Sequence, residues 1–472
     1  MTRTLRPYPD YRDSRVPWLG TVPIHWVVER TKWQFANHKD PNAGMKERNV
    51  LSLTLRGVVN NNADNPEGLV PSDYSSYQIF EKNDLVFKLI DLENIRTSRV
   101  GLVHERGIMS PAYVRLTHSG DGSIQFFYYQ FYDLYLREIY NQLGAGVRAT
   151  LGPRDLLDLP VAVPPTSEQL AIARFLNYFE IQVRRIQSAK RRKLDLLGEM
   201  REAIIFRAVT CGLDPNARLE FSSIDWMGET PTHWTIRRVK DICRIKRGKF
   251  SHRPRNDPDF YDGPYPFIQT GEVARMGKYI TSFRQTLNDR GLGVSKMFAE
   301  GTLLMTIAAN IGDVSVLAFD ACIPDSIVGI VPDDGVERDF LYYLFRAMKA
   351  ELLREAPINT QGNLNVDRLG SMGLALPPQE EQRRIVQYIE ESTAESDRGI
   401  AKALQEMALL REYRSCLITD VITGKFDVRD VLESLPEGFA AVDMFLGDEE
   451  LEVESAMDDD VDLEDAREEV EA

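Results

Sequence analysis

The side chains best suited to chemistry form a dense basic run in the second half of the chain. Residues 237–255, RRVKDICRIKRGKFSHRPR, hold nine Arg and Lys residues and a single acid, Asp241. Most such runs are solvated surface. Here the basic residues are mixed with Gly, His and Pro instead of following a helical spacing. This mixture favours contact with nucleic acid, in which Arg pairs with guanine edges and Lys contacts phosphates.

Individual candidates for DNA contact come from this run and from a less basic region in the first half. The second-half candidates are Lys246, Arg247, Lys249, Arg253 and Arg255, together with the polar residues Gln269 and Thr270. The first-half candidates are Arg56, Lys88, Arg96 and Arg99. Asn60, Asn61 and Asn62 could read adenine, although a run of Asn is more often a turn.

Signatures of catalysis are missing from the sequence. It contains no G-x-x-x-x-G-K-[ST] phosphate loop, no Asn/Asp-Pro-Pro-aromatic tetrad and no Gly-rich turn of the kind that a methyltransferase needs. The six His and four Cys residues show no metal-ligand spacing. We therefore predict no catalytic residue, no metal and no cofactor in this chain. A self-contained methyltransferase-nuclease is the disfavoured enzyme alternative.

The chain contains an internal repeat. WLGTVPIHW at residues 18–26 returns as WMGETPTHW at residues 226–234, 208 positions later. VPPTSEQLAIARFL at residues 163–176 returns as LPPQEEQRRIVQYI at residues 376–389, 213 positions later. The similarity fades between these ends, so each copy has a shared frame and a divergent middle.

Two aromatic features are interpreted as packed structure. The W-x-G-x-x-P-x-H-W stretches, called here the opening segments, begin each copy, and Trp and Pro in such places are more often packed than part of a ligand site. FFYYQFYDLYL at residues 126–136 is predicted as a core helix in preference to a base-stacking platform.

Each copy ends in a predicted long helix. Thr166 and Gln169 have capping-box spacing, and the helical pattern then lasts about 44 residues, on the order of 65 Å. Apolar residues recur at alternating spacings of four and three, which predicts a seam against a partner helix. The predicted helix-packing residues are Ile172, Leu176, Phe179, Val183, Leu197, Ile385, Ile389, Met407, Leu410 and Leu417, and Ile186 extends the first seam.

The predicted fold class is α+β, with two globular mixed α/β domains separated by two long, antiparallel, coiled-coil-like helices. An antiparallel pair would return the end of the second helix to the first domain, beside the first opening segment, as the first helix ends beside the second opening segment. The chain would thereby close into a pseudo-twofold circular arrangement. The predicted bounds are 1–165 and 212–378 for the domains with their opening segments, 166–211 and 379–425 for the helices, and 426–472 for a tail.

The acidity of the chain is concentrated in that tail. Residues 426–472 contain 19 acids against Arg429 and Arg467, a net charge of −17, whereas the whole chain has −15, which leaves the body at about +2. Such a charged segment buries little apolar surface, so we predict that it is disordered. No apolar run approaches the roughly 20 residues that span a bilayer, and no signal peptide is recognisable, so a cytoplasmic protein without membrane contact is expected.

Several of these motifs, in this order, resemble the specificity subunits of type I restriction-modification systems. The resemblance rests on the paired opening segments, the two P-P-x-x-E-Q helix starts, YPFIQTGEV at residues 265–273 and GTLLMTIAANIGDV at residues 301–314. NDLVF and IMSPAYVRL in the first copy belong to the same pattern. The similarity covers roughly residues 8–425 and leaves out the acidic tail.

The resemblance implies a non-catalytic, DNA-binding subunit with two target-recognition domains. In that family each domain reads one half of a split site on double-stranded DNA, and the helices dock two methyltransferase subunits. Those partners use S-adenosylmethionine to methylate adenine, and restriction subunits that need ATP and Mg²⁺ join the complex. Because the two middles have diverged, the site is expected to be asymmetric and bipartite. A stand-alone DNA-binding regulator or scaffold that no longer supports restriction is the alternative.

Overall fold

A computed structural model describes residues 5–55, 57–61, 74–90, 92, 98–143, 150–253, 255, 257–355 and 364–432. These residues form two compact units. The first unit contains residues 5–190 and 405–432, and the second contains residues 191–404. Within the described ranges, no helix is both long enough and apolar enough to cross a membrane.

Among its described residues, the first copy contains twelve strands and ends in a long helix. The strands are β1 (Tyr11–Asp13), β2 (Thr21–Pro23), β3 (Val27–Arg30), β4 (Phe35–Asn37), β5 (Leu51–Thr54), β6 (Gly57–Asn60), β7 (Gln78–Phe80), β8 (Leu85–Phe87), β9 (Val100–Leu102), β10 (Gly107–Met109), β11 (Val114–His118) and β12 (Pro160–Val163) among the described residues. The helices are α1 (Ile124–Leu136), α2 (Ile139–Leu143), α3 (Pro153–Asp158) and α4 (Thr166–Cys211).

The second copy follows the same plan with additional elements. Its strands are β13 (Leu219–Phe221), β14 (Glu229–Pro231), β15 (Thr235–Arg238), β16 (Cys243–Arg247), β17 (Tyr261–Phe267), β18 (Tyr279–Ile280), β19 (Gln285–Leu287), β20 (Met297–Phe298), β21 (Leu303–Thr306), β22 (Val314–Leu317), β23 (Ala321–Cys322), β24 (Ile327–Pro332) and β25 (Gly373–Leu376). Its helices are α5 (Thr270–Arg275), α6 (Asp289–Val294), α7 (Arg338–Ala347), α8 (Lys349–Glu355), α9 (Val366–Ser371) and α10 (Gln379–Ile422), and α11 (Arg429–Leu432) follows them.

The central sheet of the first unit has four antiparallel strands in the order β4-β11-β8-β9. Helix α1 packs on this sheet through edge-to-face aromatic contacts. The Phe35 ring lies 5.2 Å from Phe127 and 5.8 Å from Phe131, and Phe131 also contacts Phe87 at 5.1 Å. Aromatic pairs of this geometry stabilise a core beyond the area that they bury. The prediction of a core helix at residues 126–136 is therefore confirmed.

The second unit repeats this sheet. Its larger sheet has the order β16-β24-β21-β22-β18, in which the first four strands are antiparallel neighbours and β18 adds parallel to β22. Strands β16, β24, β21 and β22 therefore have the same spatial order as the corresponding strands β4, β11, β8 and β9 of the first unit. The internal repeat thus includes the sheet, although the sequences of the strands have diverged. A second sheet has the order β19-β17-β23-β20, and its β23-β20 pair repeats the β10-β7 pair of the first copy, since Phe298 lies opposite Ala321 as Phe80 lies opposite Gly107.

In the first unit, the two long helices pack antiparallel. The Phe179 ring of α4 lies 5.8 Å from the Tyr413 ring of α10, and Lys190 Nζ lies 2.5 Å from Glu406 Oε2. From Phe179 to Lys190 the residue number rises along α4, whereas the number of the contacting residue on α10 falls from 413 to 406. This order confirms the antiparallel pairing for the first unit.

The second unit contains the other halves of both helices, which also run antiparallel. Arg201 Nε lies 2.9 Å from Asp397 Oδ1, and the Leu197 side chain approaches Gly399 so closely that a Cβ there would lie 3.1 Å from it. The helices begin where the sequence predicted, at residues 166 and 379, and α10 ends at Ile422 instead of 425.

The side chains predicted from the heptad pattern to form the helix seam are mostly buried or half-buried. Those that are buried are Ile172, Leu176, Val183, Ile385, Ile389, Met407 and Leu417, and those that are half-buried are Phe179, Leu197 and Leu410. The extension of the seam to Ile186 is wrong, because this side chain is 45% exposed. Ile186 lies two heptads after Ile172, and a straight α-helix drifts about 20° per heptad against a 3.5-residue pattern.

The tail prediction is wrong for its first residues. The Val428 side chain is fully buried in the core of the first unit, and the backbone N–H of Asp427 donates to the Arg6 carbonyl at 2.7 Å. The Arg429 guanidinium lies over the Tyr8 ring, 5.6 Å from its centroid. Apolar residues among the acids therefore tie residues 426–432 to the N-terminal segment. The rest of the predicted tail, 433–472, lies outside the described residues.

Candidate nucleic-acid interface

The opening segment of each copy encloses a glutamate from the following P-P-x-x-E-Q helix start. In the first unit, Glu168 accepts hydrogen bonds from Trp26 Nε1 at 2.8 Å and from the Tyr8 hydroxyl at 2.5 Å, and its other oxygen lies 2.8 Å from His25 Nε2. The Glu168 side chain is only 2% exposed. Burial raises the pKa of Tyr8, and the hydrogen bond to Glu168 adds to the shift. The carboxylate is held by several donors, as a buried charge requires.

The second unit repeats the arrangement with Glu381. Its Oε1 accepts from Trp234 Nε1 at 3.2 Å, and its Oε2 lies 2.8 Å from His233 Nε2. Gly212, which follows α4 with a φ of 71°, lies against this cluster, because a Cβ there would be 3.2 Å from both Glu381 and Trp234. Each helix start thus fixes the segment through which the chain enters its unit.

The first unit has the matching glycine at the end of the second long helix. Gly424 has a φ of 78°, and a Cβ there would lie 2.5 Å from Pro23 and 3.1 Å from Trp26. A side chain would therefore be both strained and blocked. The predicted position of the first opening segment, beside the end of the second long helix, is confirmed by this contact.

The glutamine of P-P-x-x-E-Q joins the helix start to the core helix of each unit. Gln169 Nε2 donates to Pro164 O at 2.9 Å, and its Oε1 accepts from Ser123 N, the residue that caps α1. Gln382 makes the equivalent bonds, to Pro377 O at 2.9 Å and from Glu337 N at 2.8 Å. The repeated residues are therefore scaffold, as the sequence predicted for the opening segments.

The basic run lies at the edge of the larger sheet of the second unit. Strand β16 is an edge strand that pairs only with β24, and Arg247 lies opposite Val328 in the register. At the start of β16, the Cys243 thiol is buried, and burial raises its pKa to about 12. Lys246 and Arg247, at the other end of the strand, are exposed. The strand thus runs from the core towards solvent and presents its basic end at the surface.

The loop that precedes β24 lies directly against this basic end. The Pro324 carbonyl oxygen lies so close to Gly248 that a Cβ on Gly248 would be 2.1 Å away. Arg247 Nε donates to the carbonyl oxygen of Asp325 at 2.6 Å. The glycine in the basic run is therefore required for close approach of the two chain segments, and the approach fixes the Arg247 guanidinium.

The Asp325 carboxylate binds two further arginines of the run. Arg255 Nη2 donates to Asp325 Oδ1 at 2.7 Å, and Arg253 Nη2 lies 3.4 Å from Oδ2. Arg253 also donates through Nη1 to the carbonyls of Phe250 and His252, both at 2.7 Å. Arg253 is therefore largely occupied inside the protein. Its predicted role as a base reader is weaker than its role in bracing this loop.

The two lysines of the run are the most accessible candidates. Lys246 and Lys249 are exposed, and within the described part of the chain neither ammonium group has an ion pair or a side-chain hydrogen bond. Such groups suit contact with phosphates, which requires charge at a surface but no fixed geometry.

The polar candidates Gln269 and Thr270 lie at the start of α5. Gln269 is the N-cap residue, and its Nε2 donates to Gln285 Oε1 at 3.0 Å on the exposed side. Thr270 is buried, with 6% of its surface exposed, so its side chain cannot meet a ligand that approaches from solvent. Thr270 is therefore corrected from a DNA contact to a residue of the helix start.

Two of the four first-unit candidates, Lys88 and Arg99, lie among the described residues. Arg56 and Arg96 lie outside the described residues. Arg99 is buried, with 2% of its surface exposed, and its Nη1 donates to Ile90 O at 3.3 Å, so the DNA contact proposed for it is wrong. Lys88, at the end of β8, is half-buried. Charge alone selected these residues, and charge does not reveal whether a side chain turns towards the core.

Asp325 was missed as a candidate because an acid argues against DNA contact when it is considered alone. A signal does exist in the repeat. The paired strands align the two copies: Leu116 lies opposite Leu85 in the first sheet as Ile330 lies opposite Leu303 in the second, and this register places Pro111 where the second copy has Asp325. The difference marks a position at which the two middles have diverged next to a basic edge.

The comparison with protein families places this architecture in a known class. Residues 231–406 match the model of the type I restriction modification DNA specificity domain. The resemblance seen in the motifs is therefore confirmed, and the family match lies in the second copy of the repeat. The matched segment begins at the proline of the second opening segment and ends within α10.

Individual relatives agree with this class. The chain is 27% identical over 171 residues to the type I restriction enzyme MjaIX specificity subunit of Methanocaldococcus jannaschii, a match that covers 35% of this chain and 39% of the relative. It is 21% identical over 283 residues to a putative MjaX specificity subunit of the same organism, with 60% and 63% covered. The chain thus spans 39% of the length of the first relative and 63% of the length of the second.

A solved structure supports the fold. A chain from a study of complex assembly and conformational transition of the type I R-M system aligns with a TM-score of 0.60 at 17% identity. The alignment covers 86% of this chain and 99% of the other. At this identity the similarity concerns the fold.

Proposed function

We propose that this chain is the DNA specificity subunit of a type I restriction-modification complex, in which each unit reads one half of an asymmetric, bipartite site. The observation that carries the proposal is that the two units share a scaffold but differ in the loop that, in the second unit, lies against the basic sheet edge. Glu168 and Glu381 anchor equivalent frames, whereas Asp325, which binds two arginines in the second unit, has Pro111 in its place in the first unit. Identical readers bind a palindrome, and unlike readers bind unlike half-sites.

In this proposal the long helices hold the two readers apart and dock two methyltransferase subunits. Exposed apolar side chains on the helices support docking where they lie one turn apart on one face, as Leu196 and Met200 do, because contiguous exposed apolar surface marks sites of protein interaction. Leu196 and Met200 on α4, and Leu404 and Leu409 on α10, are each between 47% and 57% exposed. The antiparallel pairing within each unit supports the pseudo-twofold, circular arrangement.

The chain itself contributes recognition in this proposal, and the chemistry belongs to its partners. S-adenosylmethionine would be bound by the methyltransferase subunits, and ATP and Mg²⁺ by restriction subunits that join the complex. A target adenine must leave the DNA stack before it can be methylated, so the partner's pocket would hold the flipped base. We place this activity on cellular DNA in the cytoplasm.

Reconstitution with the partner methyltransferase tests the proposal. The methyltransferase subunits of the same system, S-adenosylmethionine and DNA should give methylated adenine only when this chain is added. The chain alone should transfer no methyl group. Methylation that is equally fast without the chain would refute the role in specificity, and methyl transfer by the purified chain alone would favour the self-contained enzyme.

The alternative is a stand-alone DNA-binding regulator or scaffold. It differs from the proposal in one measurable way, because it needs no stable complex with methyltransferase subunits. A chain that binds a defined DNA sequence but does not co-purify with those subunits would favour this alternative.

A further inference from the structure

We propose that Asp325 is a specificity-determining positioning residue, which fixes Arg247 so that its two terminal nitrogens meet a guanine in the half-site of the second unit. The inference rests on the proposed function. It adds to it Arg247 as the reading residue that contacts the base, the Asp325 contacts that hold Arg247 as its brace, and guanine as the base that is recognised.

The hydrogen bonding of Arg247 leaves the guanidinium edge that carries Nη1 and Nη2 accessible to a base. In the described part of the chain, its side chain donates one hydrogen bond, from Nε to the Asp325 carbonyl at 2.6 Å. The Nη1 and Nη2 atoms remain available on an exposed residue. Two parallel N–H donors match the O6 and N7 acceptors of guanine in the major groove. Anchoring through Nε reduces the side-chain freedom that binding would otherwise remove.

The Asp325 carboxylate holds the loop that provides this anchor. It binds Arg255 at 2.7 Å and Arg253 at 3.4 Å, and these residues follow Arg247 in the chain after a short turn. The loop is thus fastened both to Arg247 and to the chain segment that follows it. The same carboxylate offsets two positive charges, so that they do not repel the Arg247 guanidinium.

Close packing makes the brace specific to this place in the fold. Gly248, next to Arg247, lets the Pro324 carbonyl approach to a distance that any Cβ would block. In the first unit, Pro111 stands at the position of Asp325, so the same device cannot form there. The inference therefore concerns one half-site only, and this restriction gives the experiment an internal control.

The test compares DNA sequences that full-length variants select from a random double-stranded library, with sequencing of the bound fraction. The variants are the wild type, Asp325→Asn and Arg247→Lys. Asp259→Asn is the matched control, because Asp259 is an exposed acid of the same unit that pairs with Arg290 at 3.2 Å, away from the brace. Thermal unfolding of each variant verifies that the chain remains folded.

We expect Arg247→Lys and Asp325→Asn to lose guanine preference at the same base pair of one half-site. A bidentate contact discriminates by about 1–3 kcal/mol, which corresponds to roughly 5- to 150-fold in preference. The other half-site and the Asp259→Asn profile should be unchanged.

Two results would overturn the assignment while leaving the proposed function intact. One is a wild-type profile for Asp325→Asn in both half-sites, and the other is an equal loss in both half-sites for either variant. A wild-type chain that selects no sequence at all would instead refute the proposed function itself.

Discussion

The indole Nε1 of Trp26 donates a hydrogen bond to Oε1 of Glu168 at 2.8 Å, and this contact joins the opening segment of the first unit to the first turn of α4. Trp234 and Glu381 repeat it in the second unit at 3.2 Å. The Trp26–Glu168 pair and the Trp234–Glu381 pair therefore occupy equivalent places in the two copies. Each pair stabilises the shared scaffold around a divergent middle.

Replacement of the anchoring glutamates should destabilise the unit concerned. Glu168→Gln removes a charge that Tyr8, Trp26 and His25 surround, and hydrogen bonds to charged groups contribute about 1.5–3 kcal/mol each. We expect a loss of about 2 kcal/mol in urea unfolding. Glu381→Gln should cost less, because Glu381 is more exposed than Glu168. Equal midpoints for the wild type and Glu168→Gln would contradict the role of this anchor.

The helix seam can be tested with a matched pair of truncations on α4. Leu176 is fully buried, whereas Ile186 is 45% exposed although the heptad pattern includes it. Leu176→Ala should lower the free energy of unfolding by about 2–5 kcal/mol, since it leaves a cavity. Ile186→Ala should change it by about 0.5 kcal/mol or less, as is usual at the surface. Equal effects in chemical denaturation would mean that the seam lies elsewhere.

The stability of the first unit should depend on pH through His118. Burial lowers the pKa of His118, and the nearby Asp121 offsets this only in part. The ring packs 5.0 Å from Phe35 and 5.3 Å from Phe127. A folded pKa below the unfolded value of about 6.5 means that the unfolded chain binds more protons, so this stability is present above about pH 6.5 and is lost as the pH falls.

His118→Phe should remove that part of the pH dependence, because it keeps a ring but has no titrating group. Urea unfolding between about pH 7.5 and 5 measures the effect. A slope that is the same in the wild type and in His118→Phe would show that other groups are responsible.

Lys246 and Lys249 should act on DNA binding without regard to sequence. Replacement of either by Ala should weaken binding to specific and random DNA alike, and should reduce the slope of log affinity against log salt by about 0.9 for each phosphate that is no longer neutralised. Arg290→Ala is the control, because Arg290 is an exposed cation of the same unit that pairs with Asp259. A slope unchanged in both lysine variants would mean that the basic edge is merely solvated.

The scaffold could be predicted from the sequence because it depends on short-range patterns that occur twice. Capping residues and apolar spacing placed α4 at 166–211 and the start of α10 at 379. The aromatic run gave α1, and the position of each opening segment beside the end of a long helix followed from the order of the parts. These features need only local preferences and burial of one face.

The candidate site was less predictable because it depends on which distant segments meet. Arg99 and Arg247 have the same charge, yet Arg99 is buried whereas Arg247 is exposed on an edge strand. Asp325 lies 78 residues after Arg247 in the sequence, and only the pairing of β16 with β24 brings them together. Composition also marked residues 426–432 as tail, although Val428 completes the core.

A map of methylated adenines in DNA treated with this chain and its partner methyltransferase tests the central claim most directly. We predict a single asymmetric site, with two unlike half-sites separated by a constant gap and one modified adenine on each strand. A palindromic or uninterrupted site, or methylation without sequence preference, would contradict an account in which two unlike units read one duplex from a common scaffold.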